Sequence, residues 1–488
     1  MPVVFIPEYQ KQVTVAPGTR LLDALKRSGI YPDAPCGGNG SCGKCKVFAD
    51  GEEVLACRAK VERDLTVTLP LETQLSILQT GISGHLHTDP LADGYLLAFD
   101  IGTTSVVCYL LEGSTGKELA KSSMLNPQVA FGADVVSRIQ AALRGELPRL
   151  TALIREAMAA LIGQVCSQAG ITPEEIGVVS VVGNPAMQQL FLGISPKNLS
   201  KPPFAPVLTE ATVSPCKDIL PLCPRAKLLT IPNISGYVGA DTVGCLLATG
   251  LSAAADLTLL VDIGTNGEMV LGNKDRMLAC ATAAGPALEG ANIRFGMRAV
   301  PGAIDHVWLE EGTVKCSVIG GGQAKGICGS GLMDAIAVGL RLGLINKRGR
   351  IRNDSHTFHL TREVFLTQED IRQVQLAKGA ICAGILLMAQ QLGVEVQDIQ
   401  KVQLAGAFGS FLNPENACRI GLLPESLLGK NQPVGNAAGS GAILLARDKN
   451  LLPLTKILTE KTEFLELASL EAFPKTFAKA MLFREETL

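Results

Sequence analysis

The sequence predicts an α/β protein of two unequal parts, a small strand-and-helix module followed by a larger unit that repeats itself. Three observations carry this. Cys36, Cys42, Cys45 and Cys57 cluster in the Gly-rich stretch APCGGNGSCGKCKVFADGEEVLAC. The segment LLAFDIGTTSVVCYLL has a second copy in LLVDIGTNGEMVLG, with Asp100 and Asp262 162 residues apart. At 488 residues, 47% hydrophobic and 18% charged, the chain exceeds one compact core and has the apolar content to bury more than one.

Taken in order, residues 1 to 70 alternate apolar and polar at VVFIP and QVTVAP, give a helix at TRLLDALKRSG, then the cysteine loop, then strands near VFADGEEVLAC and LTVTLP. Such a module is marginal by itself, and a bound metal centre would contribute to its folding. Residues 71–94 have weak periodicity and several turn formers and read as a flexible linker. The duplicated unit spans 95–456, with halves at about 95–250 and 251–456, and 457–488 form an extension packed on it.

The four cysteines are spaced to wrap thiolates around a small iron–sulfur cluster. Zinc ribbons use paired CxxC knuckles, whereas this loop has one CxxC, so the reading is 2Fe-2S. The other ten of the fourteen cysteines read as small buried hydrophobes, and a reducing compartment speaks against a disulfide framework. The five histidines, His85, His87, His306, His356 and His359, form no ligand set.

In each half an apolar strand ends at Asp, a Gly turn follows and a second strand begins. Gly102 and Gly264 let backbone N–H groups approach phosphate oxygens, Thr103, Thr104, Thr265 and Asn266 lie in the turns, and Asp100 and Asp262 are placed to hold Mg²⁺ through waters. One such turn is weak evidence for a nucleotide; two in this order are strong. Gly183, Asn184 and Pro185 end a buried strand at a cleft-facing position. The small-residue segment 231–250 reads as a helix for close packing between halves, and Asp241 within it is a candidate to polarise water or, alternatively, to cap the helix. Gly329, Ser330 and Gly331, and Gly406, Ala407 and Gly409, precede helices and either face a nucleotide or simply turn strand into helix.

The net charge of −2 disfavours a nucleic-acid partner. The N-terminus has no secretory pattern and no stretch reaches about 20 apolar residues, which places the chain in the cytoplasm without a membrane partner.

The order DIGTT, segment 231–250, DIGTNGE, LAGAFG and GNAAGSGAILLA resembles the two phosphate motifs, first connecting helix, adenosine motif and second connecting helix of the acetate kinase, sugar kinase, heat-shock chaperone and actin superfamily, over roughly 95–450. GICGSGLMD is similar to a nucleotide-contacting segment of the activators of acyl-CoA dehydratases and benzoyl-CoA reductases. Together with the cysteine module, and through ISGYVGAD, AAGPALEGA and GICGSGLMDA, nearly the whole chain resembles the reductive activators of corrinoid proteins.

That resemblance implies a duplicated ribonuclease-H-like (actin/sugar-kinase-type) ATPase domain behind a β-grasp 2Fe-2S ferredoxin domain, and ATP/ADP with Mg²⁺ as ligands. It further implies a corrinoid protein of a methyltransferase system as partner, returned from Co(II) to Co(I), a low-potential electron donor, and a homodimer. Plant-type 2Fe-2S centres lie near about −400 mV, above the Co(II)/Co(I) couple, so transfer is uphill and ATP has to supply the difference. Two departures from the family are expected: the last 38 residues hold no Cys for further clusters, and the extra middle domain of longer members is absent. The loop with Ala284, Gly285, Pro286 and Glu289 either faces the corrinoid or partner or is a structural turn. Two other readings compete, an activator of another low-potential enzyme and a redox-gated ATP-binding regulator.

Overall fold

The computed structural model describes residues 1–7, 11–28, 45–68, 88–132, 134–264, 266–290, 292–409 and 411–484. Cys36, Cys42, Thr265 and residues 71–87 of the linker therefore lie outside the described residues.

The N-terminal module has strands β1 (Val3–Ile6) and β2 (Lys11–Thr14), helix α1 (Leu21–Arg27), and strands β3 (Lys46–Ala49), β4 (Glu52–Leu55) and β5 (Leu65–Thr68). They form one sheet in the order β2-β1-β5-β3-β4, with the first strand parallel to the last. Val4, Ile6, Leu21, Leu22, Leu25, Val47 and Val67 close its core. The alternation of β1, with Val4 and Ile6 inward and Phe5 outward, is what a one-faced sheet requires.

The first half of the larger unit is built from β6 (Tyr95–Ile101), β7 (Ser105–Leu111), β8 (Glu118–Leu125), β9 (Ile176–Gly183), β10 (Thr212–Pro215) and β11 (Lys227–Thr230), in the order β8-β7-β6-β9-β11-β10. The second half repeats the plan with β12 (Thr258–Ile263), β13 (Gly267–Gly272), β14 (Met277–Thr282), β15 (Lys401–Ala405), β16 (Asn431–Gly435) and the edge strand β17 (Thr462–Phe464), in the order β16-β15-β12-β13-β14-β17. In each half a three-stranded antiparallel meander is followed by two strands parallel to its first. This shared order is the duplicated ribonuclease-H-like plan. β9 is buried at every position, as a central parallel strand covered on both faces must be.

Helices α2 (Leu147–Ala169) and α3 (Pro185–Leu192) cover the outer face of the first sheet. Between the sheets lie α4 (Ala240–Thr249) and α7 (Ala437–Arg447), while α5 (Gly329–Arg341) and α6 (Gln368–Leu392) cover the second sheet. The crossing of α4 and α7 depends on small residues: a Cβ on Gly441 would stand 2.2 Å from the Gly244 carbonyl oxygen. The helix expected over 231–250 starts only at Ala240, because Pro232, Gly236 and Gly239 favour the tight loop, where Ile234 and Ser235 amides donate to Val238 carbonyl oxygen.

The described residues from 457 on begin inside α8 (Leu452–Lys461), add β17 to the sheet edge and include α9 (Phe473–Ala480), which packs on α6. By length and composition alone, the helical stretches Val135–Ala169 and Gln368–Leu392 are long and apolar enough to cross a membrane. Each packs its apolar face into a core, beneath the first and second sheet respectively. Residues 88–94, the end of the expected flexible linker, are docked: the Asp89 amide donates to Arg447 carbonyl oxygen at 2.8 Å and the Lys449 amide to Asp89 carbonyl oxygen at 3.0 Å.

Candidate functional site

Cys45 stands immediately before β3, and the β3–β4 hairpin returns the chain so that Cys57 comes back beside it. The Cys57 amide donates to Cys45 Sγ at 3.4 Å, and the Ala56 amide to the Cys45 carbonyl at 2.7 Å. Both cysteines are buried. An amide aimed at sulfur suits a ligating thiolate, since hydrogen bonds to the sulfurs are part of how a protein holds and tunes an iron–sulfur cluster. Two of the four expected ligands thus meet in a site that fits the cluster. Among the described residues no group of three or more metal-binding side chains assembles, the other two cysteines being outside them.

In the larger unit, Asp100 at the end of β6 and Asp262 at the end of β12 come together with Asp241 in the first turn of α4, and Glu268 joins them from β13, directly opposite Asp262 in the hairpin register. All four are partly exposed where the halves meet, yet crowded by protein on the remaining sides. That crowding raises every one of their carboxyl pKa values. For Asp262 desolvation leads, then the Asp100 charge, and the carboxyl is pushed up to about 6. Desolvation followed by Asp262 and Asp100 raises Asp241, and desolvation followed by Asp241 and Asp262 carries Glu268 well upward. Asp100 is raised by desolvation and relieved by Asn436, whose Nδ2 donates to Oδ2 at 2.9 Å. Like charges opposite one another in a hairpin destabilise it; a divalent cation with phosphate resolves the conflict, so these residues fit Mg²⁺-nucleotide.

Asp241 is not the capping residue itself but lies in the first turn of α4, beside the other carboxylates. Gly239 is the helix N-cap and Asp241 Oδ1 accepts the Thr242 amide at 2.8 Å, while its charge faces Asp262 and Asp100.

The two Asp–Gly turns, at Gly102 and Gly264, are braced from behind. Gly102 donates to Ser105 carbonyl oxygen at 2.9 Å and Gly264 to Asn266 carbonyl oxygen at 3.0 Å. Asn184 Nδ2 donates to Thr103 Oγ1 at 3.1 Å, and Asn126 Nδ2 to the Gly102 carbonyl at 2.9 Å. Arg138, fully buried on the helix Val135–Ala141, donates to the Thr103 carbonyl at 2.6 Å and to Gly132 carbonyl oxygen at 2.9 Å; burial depresses its guanidinium to about 10. Thr104 Oγ1 donates across the junction to Glu289 Oε2 at 2.8 Å, so Glu289 lies beside the first Asp–Gly turn.

Gly406 follows β15 with φ +84°, and a Cβ there would lie 2.8 Å from Asp262 Oδ1, so glycine is required on both counts. Ala407 and Gly409 complete the same helical turn, Gly406–Gly409. Gly329, Ser330 and Gly331 open α5 and are buried: Ser330 Oγ donates to Asp305 carbonyl oxygen at 2.9 Å, and a Cβ on Gly331 would meet the Ile304 carbonyl oxygen at 2.4 Å. In this structure that segment packs on the strand Ala303–Glu310.

Sequence reasoning did not single out Glu268, Asn436, Cys245 or Arg138. Cys245 Sγ donates to Asp262 Oδ2 at 3.6 Å. For Glu268 a signal existed: its pairing with Asp262 across a short turn puts both on one face. The others reach the site from distant segments.

Residues 4–62 match the 2Fe-2S iron-sulfur cluster binding domain, 95–254 the RACo middle region, and 256–488 the C-terminal domain of RACo, the ASKHA domain. The RACo middle region coincides with the first half of the duplicated unit. The chain is 32% identical over 592 aligned positions to the corrinoid activation enzyme RamQ of Eubacterium limosum, covering 99% of this chain and 100% of that one. It is 27% identical to the [Co(II) methylated amine-specific corrinoid protein] reductase of Methanosarcina barkeri, covering 68% and 66%. A solved structure, the reductive activator for corrinoid,iron-sulfur protein, superposes with a TM-score of 0.76 at 29% identity, covering 99% of this chain and 98% of the other.

Proposed function

The chain belongs to the reductive activators of corrinoid proteins, and from that membership we infer what its two parts do together. It is an ATP-dependent iron–sulfur activator that converts the Co(II) form of a corrinoid protein to Co(I) by delivering one electron. The bound 2Fe-2S cluster supplies that electron. What supports this reading most directly is one chain that brings Cys45 and Cys57 together in one part and gathers four carboxylates between the halves of the other.

Cys36 and Cys42 complete the thiolate set with Cys45 and Cys57 in our proposal. Asp100 and Asp262 hold Mg²⁺, the turns at 102–104 and 264–266 take the phosphates, and Asp241 orients water for hydrolysis. Arg138, behind the first turn, fixes the Thr103 carbonyl and with it the backbone of the turn. Gly406, pressed on Asp262, supplies a flat edge for the nucleoside. Nucleotide acts by differential affinity for two arrangements of the halves, which sets how far its binding can shift them. The corrinoid protein serves a methyltransferase system, the donor is a low-potential electron carrier, and the activator works as a cytoplasmic homodimer.

Anoxic visible spectroscopy tests this. The pre-reduced protein, mixed with a Co(II) corrinoid protein, should produce the Co(I) band only when Mg-ATP is added. Formation of Co(I) at the same rate and extent without nucleotide would refute the ATP dependence.

A further inference from the structure

The contact between Thr104 and Glu289 is unusual in its placement. Thr104 belongs to the first phosphate turn, whereas Glu289 closes a short 3-10 turn, Pro286–Glu289, of the second half. Thr104 Oγ1 donates to Glu289 Oε2 at 2.8 Å, and a Cβ on Gly264 would lie 3.7 Å from Glu289 Oε1. The carboxylate therefore stands between the two turns that Mg-ATP would bridge, and its charge reaches Asp262. An anion sits where another anion has to go. Arg298 Nη2 also reaches the Thr104 carbonyl at 3.4 Å, so the segment from Glu289 to Arg298 rests on the first turn at two points. Beyond it, Arg298–Pro301 are exposed. The far side is anchored independently, the Arg294 amide donating to Asp370 Oδ1 at 2.8 Å.

We propose that Glu289 is a positioning residue that competes with the nucleotide's phosphates for the Thr104 hydroxyl, and that its displacement by triphosphate releases the 289–301 segment from the first half. This rests on the reading that the two turns hold the phosphates. The nucleotide-free protein is latched across its halves by Glu289, and the latch opens only for a ligand carrying enough negative charge to displace a carboxylate. Adenosine, with no phosphate, does not disturb it. Phosphate occupancy thereby reaches an exposed strip of chain, which gives the differential contact that nucleotide-driven switching needs.

Binding of adenosine and of non-hydrolysable Mg-ATP analogue, measured by calorimetry on the full holoprotein, tests the competition. Glu289→Ala should bind the analogue about tenfold more tightly, the order expected when a charge-assisted hydrogen bond no longer has to be broken, with adenosine affinity unchanged. Glu289→Gln, which keeps the shape without the charge, should show a smaller gain in the same direction, and it guards against misfolding of the Ala variant. Trypsin reports the latch: cleavage after Arg298 should accelerate with analogue in the wild type, and should be fast without it in Glu289→Ala. Weaker or unchanged analogue binding in both variants would overturn the competition and make Glu289 part of the Mg-phosphate site or a bystander. Wild-type protein that binds no Mg-ATP analogue at all would instead overturn the phosphate reading of the turns, and this inference with it.

Discussion

Replacing Asp262 by Asn should stabilise the nucleotide-free protein while removing its response to Mg-ATP. In the fold the Asp262 carboxyl is pushed up to about 6 from an ordinary value of 3.8, by desolvation first and the Asp100 charge second. A group whose folded pKa lies above its unfolded one costs nothing below about pH 4, where both states are protonated. The cost accumulates as pH rises, because the unfolded chain gives up its proton first, and it is complete above about pH 6 to 7. About 2 units at about 1.4 kcal/mol each sets an upper bound near 3 kcal/mol; partial exposure reduces this to about 1–2 kcal/mol. For a unit of this size that corresponds to a gain of roughly 2–6 °C. The assay is thermal unfolding of wild type and Asp262→Asn without nucleotide at pH 4.5 and pH 8, then with Mg-ATP at pH 8. The variant should exceed wild type by clearly less at pH 4.5 than at pH 8, and only wild type should be further raised by Mg-ATP. A variant no more stable than wild type at pH 8, or one equally stabilised at both pH values, would refute the account of the acidic group as a conflict awaiting a cation.

Three further outcomes are expected. Gly441→Val pushes a side chain into the Gly244 backbone, which cannot yield as a flexible side chain can, so it should destabilise the duplicated unit by about 1–3 kcal/mol and weaken Mg-ATP binding, leaving the cluster's visible spectrum unchanged; unfolding and nucleotide titration check both. Cys45→Ser should lose the cluster's visible absorption while Mg-ATP affinity stays within about twofold of wild type, the two sites lying in separate cores. Mg-ATP binding near pH 6 should release about one proton, falling toward none by pH 9, because the raised carboxyls must ionise to hold the cation; calorimetry in two buffers of different ionisation enthalpy reads the number.

The sequence was legible where chemistry is local. The strand–Asp–Gly-turn–strand signature names both hairpins because the Asp, the turn and the second strand are neighbours in the chain, and β6–β7 and β12–β13 form as that pattern requires. The cysteine spacing is local in the same sense, and it leads to a pair that does meet. Glu268 was readable in principle from hairpin register, but its consequence needs Asp241, which arrives from another segment. Asn436 is invisible in sequence for a physical reason: it reaches Asp100 from 336 residues away, through a contact that exists only when the halves meet; Arg138 reaches Thr103 within the first half but from 35 residues away, and Glu289, though its loop stood out, gives no sequence sign of its contact with Thr104 185 residues away. The loop before α4 misled because its small apolar residues have helical composition, while Pro232, Gly236 and Gly239 decide the backbone. The segment GICGSGLMD shows the opposite limit. Its glycines are compatible with a ligand surface, but Gly331 is also demanded by a backbone contact that no ligand explains.

Helix α7 ends in two different neighbourhoods. At its start, the capping residue Asn436 holds Asp100; at its finish, Arg447 and the residues after it hold Thr88 and Asp89, with Lys449 paired to Asp89 at 2.8 Å. Eleven helical residues, about 16 Å of rigid rod, separate those ends. The cysteine module is joined covalently just upstream of Thr88, so it is moored to the same rod whose other end grips the acidic group. Nineteen residues, 69–87, lie between the last described residue of that module and the mooring, and a chain of that length spans at most about 65 Å. The electron carrier therefore stays within that reach of whatever docks on this unit, at a high effective local concentration, and any tilt of the rod shifts the point to which its chain is tied.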